Sequence, residues 1–138
     1  MTVAELTALL ERLATAWSTQ DTELALSCFT EDAVYVEPPD IQIYIGHEQL
    51  RPYFAALTPG TVMRFHNVLL DEGGRVGAGE YTFGSVDDPV ADHGVAIVEL
   101  ENDRIARWRE YQRKGPALFS EFVAENGKTW QWHIGNYP

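Results

Sequence analysis

A carboxylate closes an apolar run in "DAVYVEPPD", residues 32–40. Ala33, Val34, Tyr35 and Val36 read as a short buried strand, and Glu37 follows directly before Pro38 and Pro39. Three readings are open for Glu37: a solvated strand end, a structural hydrogen bond, or an acid that faces a ligand. Only the last does chemistry. A carboxylate in apolar surroundings is disfavoured in its charged form, which suits it to move protons near neutral pH.

Other chemistry-bearing residues form no pattern of their own. His47, His66, His93 and His133 lack helix-ligand spacing and have no cysteine or carboxylate partners, so no metal is expected. His66 sits mid-strand and is the histidine expected nearest to a cavity. Cys28 is the single cysteine, which excludes an internal disulfide, and its apolar setting "LALSCF" reads as inert packing. "GGRVGAG" is like a phosphate loop only on its surface, because a hairpin strand follows it and no helix does. No G-x-S-x-G nucleophile turn occurs. No cofactor is expected.

The elements that must position Glu37 are legible. Thr2 with Glu5 forms a capping box, and Val3, Leu6, Leu10, Leu13 and Trp17 then make one helical stripe. Asp21 caps a shorter helix through about Phe29. The strand 33–37 and the alternating "IQIYIG" come next, then the helix "HEQLRPYFAAL". Long strands follow at "VMRFHNVLLD", "RVGAGEYTFGS", "HGVAIVELE" and "RIARWREYQRK". They are joined by "EGG", the loop "VDDPVAD" and a tight "ND" turn. Pro116 opens a last helix through Glu125, and residues 127–138 form an aromatic tail with Trp130 and Trp132. Early helices and late antiparallel strands make this an α+β chain, with the helices covering one sheet face.

At 138 residues the chain fits one domain, residues 1–138. A net charge of −11 disfavours nucleic acid and anionic membranes as partners. No apolar run reaches spanning length and no signal-peptide pattern is seen, so a cytoplasmic location is expected.

"FTEDAVYVEPP", "IGHEQLRPYF" and "GVAIVELENDRIARWREYQ" together resemble the nuclear transport factor 2-like superfamily, in its SnoaL-like polyketide-cyclase branch, over roughly residues 5–115. The resemblance implies a cone-shaped α+β barrel of cystatin-like topology. Its curved, mostly antiparallel sheet would wrap around the N-terminal helices and leave one deep pocket. It also implies a homodimer formed through the outer sheet face, with Val95 and Ile97 outward. Ketosteroid isomerases carry a proton-shuttling aspartate before a proline where Glu37 stands. Epoxide hydrolases carry water-binding tyrosine and asparagine at Tyr35 and Glu37, and pocket residues at Trp108 and Glu110. Neither catalytic set is complete. Tyr81 and Phe83 replace the epoxide hydrolase arginine and second aspartate, and Leu13 and Ala96 replace the isomerase tyrosine and acid.

Strand alternation extends this to a pocket. An inward Glu37 brings Tyr35 with it, and an inward Glu110 brings Trp108 and Gln112. An inward Tyr81 brings Phe83, Gly79 and Gly77, and the two glycines imply a bend or room for something close. Ala96 and Val98 also face in, while Glu99 faces out. Trp17 would join the aromatic wall. Arg107 and Arg109 leave a structural ion pair open for Glu110. Two carboxylates in one apolar pocket raise each other's pKa. The expected function is cofactor-free proton transfer or water addition on a small apolar molecule. Glu37 would be the base, Glu110 a second acid and Tyr35 a polarising donor. The other reading is a protein that binds such a molecule without turning it over.

Overall fold

The computed structural model describes residues 1–86 and 88–114, with backbone alone for 88–91. The expected helix 116–125 and the aromatic tail lie outside the described residues.

Thr2 caps helix α1 (Val3–Ser18) as its sequence requires, with Thr2 N donating to Glu5 Oε2 at 2.7 Å. The buried stripe is Leu6, Leu9, Leu10, Leu13 and Trp17; Val3, in the first turn, is left exposed. Asp21 caps α2 (Thr22–Ser27) by accepting from Leu24 N at 2.9 Å. The chain leaves the helix earlier than expected, and β1 (Phe29–Glu37) begins four residues before Ala33. A 3₁₀ turn over Pro38–Asp40 leads into β2 (Gln42–Ile45) and α3 (Gly46–Ala55). β3 (Thr61–Leu70), β4 (Val76–Ser85), β5 (Asp88–Glu101) and β6 (Arg104–Arg113) follow.

The six strands among the described residues form one sheet in the order β2-β1-β6-β5-β4-β3. Among these, only β1 against β6 is parallel; the other pairs are antiparallel. The sheet is curved but open, so α+β with a cystatin-like course holds while closure into a barrel does not. Asn102 and Asp103 both take positive φ, 49° and 60°, the geometry of a tight hairpin between β5 and β6.

The expected loop at 86–92 is largely strand, because β5 starts at Asp88. Pro89 and the acids around it look like turn residues, but a proline is compatible with the first positions of a strand or with a bulge. A register shift between Phe83 and Ser85 lies at this point.

The room left by Gly77 and Gly79 is filled by the chain itself. A Cβ on Gly77 would lie 2.3 Å from Leu6 Cδ2, and one on Gly79 would lie 2.9 Å from Leu10 Cδ1. These glycines let α1 settle directly on β4. Ala33, Tyr35, Tyr81, Ala96, Val98, Ile105 and Trp108 complete the core between helices and sheet. Among the described residues, no helix is long and apolar enough to cross a membrane.

Candidate active site

Alternation delivers the site from β1 and β6. Tyr35 and Glu37 are buried while Val34 and Val36 are only half-buried; Trp108 and Glu110 are buried while Arg107 is exposed. Parallel pairing sets Tyr35 beside Trp108, and antiparallel pairing sets Ala96 beside Glu110. None of the register shifts falls within these stretches. Glu37 and Glu110 therefore reach the same side of the sheet, at 4% and 6% exposure.

They open on one cavity of about 210 Å³ between α1, α3 and the inner sheet face. Of the residues expected there, Trp17, Tyr35, Glu37, Phe83, Glu110 and Gln112 line it. Tyr81, Ala96, Val98 and Trp108 do not, because all four are fully buried in the layer behind. Trp108 backs the site: its ring stacks on Tyr35 at 5.6 Å with planes 6° apart, and stands edge-on to Trp17 at 5.9 Å. Tyr81 lies over Gly94, where an added Cβ would come within 2.8 Å of its hydroxyl.

The two acids are held differently. Glu110 Oε2 accepts from Trp108 Nε1 at 2.7 Å and from the Tyr35 hydroxyl at 3.1 Å. Burial and then the charge of Glu37 raise its pKa to about 7, although both hydrogen bonds pull the other way. Glu37 accepts from the Tyr53 hydroxyl. That tyrosine is pushed far above its ordinary pKa by burial and by this hydrogen bond, so it remains a donor. Tyr35 is raised likewise, by burial and by Glu110.

The arginine pairing left open for Glu110 does not form. Arg107 and Arg109 lie on the outer face, 3.6 and 3.5 Å from Glu99. Among the described residues no cation pairs with Glu37 or Glu110, and no cluster could hold a metal ion.

His66 does not approach the cavity. The bulge between Phe65 and Asn67 turns it to the outer face, with Nε2 2.7 Å from Thr82 Oγ1, which is itself 2.8 Å from His93 Nδ1. Burial holds its pKa below the usual histidine value.

Sequence reasoning missed Tyr53, Phe54, Asp40 and Lys114, which also line the cavity. Leu50, Tyr53 and Phe54 recur at steps of three and four on α3, so the stripe that located α1 carried a signal for Tyr53 and Phe54. Asp40 and Lys114 lie 74 positions apart and meet only in the fold, with Nζ 2.9 Å from Oδ2. No local pattern marks them.

The arrangement offers an acid near half-protonation at neutral pH and a second carboxylate on the same small cavity. Tyr35, expected to polarise a substrate, is committed to Glu110 and positions it instead.

Comparison with known proteins agrees with this architecture. A candidate ketosteroid isomerase from Kribbella flavida is similar at 17% identity and a TM-score of 0.68, covering 89% of this chain and 90% of that one. A protein of unknown function with a cystatin-like fold from Methylobium petroleophilum gives 17% and 0.70, covering 85% and 81%. An LEH-like epoxide hydrolase from M. tuberculosis gives 17% and 0.65, covering 80% and 84%. Such identities speak for the fold alone. Among curated proteins none matches the sequence. The model of the SnoaL-like domain family matches residues 10–108, from the middle of α1 through the tryptophan that supports Glu110, and the chain belongs to that family.

Proposed function

We propose that the protein is a cofactor-free enzyme that moves a proton on a small molecule held in this cavity. Glu110 would be the proton donor and Glu37 the acceptor. The observation that carries this is the shared cavity of two buried carboxylates, with Glu110 raised to about 7. A general acid works best when its pKa lies near the working pH, and a base beside it completes the pair. Isomerisation, dehydration and aldol-type cyclisation all move a proton at carbon and need this pair in a water-poor site.

Binding without turnover is the second reading. The Tyr53 hydroxyl on Glu37 favours it, because that bond occupies one oxygen of the base. Proton exchange separates the two. A small molecule that co-purifies with the protein should be returned to it in deuterated water and followed by NMR. Catalysis requires deuterium to enter a carbon position of the ligand in the wild type and not in Glu37→Gln. A ligand that stays bound and unexchanged in both proteins would refute the enzyme reading.

A further inference from the structure

We propose that the cavity takes a small organic ammonium ion, with its cationic centre between Glu37 and Glu110 and its alkyl groups against the aromatic walls. This rests on the shared cavity of the proposed function, but not on turnover, and it replaces the expected apolar ligand with a charged one.

Three observations converge. The first is the uncommitted acceptors. Tyr53 reaches Glu37 Oε1, and both Tyr35 and Trp108 reach Glu110 Oε2. Glu37 Oε2 and Glu110 Oε1 accept from none of the described residues. They are not among the occluded polar atoms, so what exposure they keep opens on the cavity that both residues line. The occluded atoms without partners are instead Trp17 Nε1, Thr30 Oγ1 and the Tyr81 hydroxyl. Beside the two acids the cavity thus presents uncommitted acceptor oxygens, which a ligand donor would satisfy.

The second observation is charge. Neighbouring carboxylates resist double ionisation, and a pair sharing one proton still carries one negative charge. A buried charge is costly unless it is paired. Lys114 is the single basic residue among the described residues of the lining, and Asp40 holds it at 2.9 and 3.0 Å. Asp40 and Asp92 line the same cavity, so acids outnumber bases among its described residues. An ammonium ion supplies the missing partner.

The third is the wall. Trp17, Tyr35, Tyr53, Phe54 and Phe83 surround the acids. Aromatic faces attract organic cations, most strongly where water is excluded. At about 210 Å³ the space suits a compact amine rather than a drug-sized ligand.

Cyclohexylammonium and cyclohexanol share a ring and differ in charge, so titration calorimetry of both near neutral pH tests the proposal. The ammonium ion should bind at least roughly tenfold more tightly. Glu37→Gln should remove most of that preference. Equal or tighter binding of cyclohexanol would overturn the proposal, as would no detectable ammonium binding at millimolar concentration. So would an ammonium preference that survives both Glu37→Gln and Glu110→Gln. Preference for cyclohexanol together with deuterium exchange would leave the enzyme reading intact. Ammonium binding without exchange would remove the enzyme reading alone.

Discussion

Glu110→Gln should be more stable than the wild type above pH 7, by as much as about 3 kcal/mol. Glu110 is buried, and its pKa rises from 4.5 to about 7 on folding. At about 1.4 kcal/mol per pKa unit, that difference is worth about 3 kcal/mol. The direction follows from proton binding. Below pH 4.5 the group is protonated in both states, and its stabilising effect is fully present. Between 4.5 and about 7 the unfolded chain releases the proton while the folded protein keeps it, so stability falls. Above that the buried charge remains as a penalty. Glutamine keeps an oxygen for Trp108 and Tyr35 and carries no charge.

Urea unfolding at about pH 5 and pH 8 would measure this as a wild-type loss that the variant lacks. Asp71 and Glu5, both held low by hydrogen bonds, lose their contribution only in more acidic solution, outside that interval. His66, depressed by burial, acts with the opposite sign within it. His66 is present in both proteins, so the difference between them isolates Glu110. Identical pH profiles would contradict the account.

Trp108→Ala should cost about 3–5 kcal/mol, the range for removing a large buried aromatic side chain. Its ring is fully buried between Tyr35 and Trp17, and Phe29 lies 6.3 Å away. Small domains have little more stability than this to lose, so the variant should melt far below the wild type or fail to fold. Trp108→Phe separates packing from hydrogen bonding. It fills most of the same space but gives Glu110 Oε2 no donor. The bond from Trp108 lowers the Glu110 pKa, so its loss should move that pKa further above 7 while most of the fold stability is kept. A Trp108→Phe protein with an unchanged Glu110 titration would show that the indole N–H does not tune the acid.

How far the sequence carries the site is set by which physical rules are local. Alternation is local, so Tyr35 with Glu37, and Trp108 with Glu110, were assigned to one face from their spacing alone. A capping box is local, and it placed the start of α1. Bulges are not: one extra residue near Phe65 sends His66 to the outer face, and no residue type there announces it. Depth is not local either. Parity put Tyr81, Ala96, Val98 and Trp108 on the inner face, but only packing decides that they lie behind the cavity wall. Around Pro89 the expected loop is instead the start of β5, at a register shift against β4 between Phe83 and Ser85 that no residue type there announces. Glu99 shows the same limit. It intercepts both arginines on the outer face, a cross-strand pairing that adjacency in sequence did not suggest.

The central claim is that Glu110 is an acid poised near neutrality by burial beside a second carboxylate. Carbon-13 NMR of protein labelled at glutamate side-chain carboxyls measures this directly, with Glu110→Gln identifying the resonance. The account predicts a midpoint of about 7, moving down in Glu37→Gln as the neighbouring charge is removed. A midpoint at or below 4.5 would contradict it, and with it the acid–base chemistry proposed for the cavity.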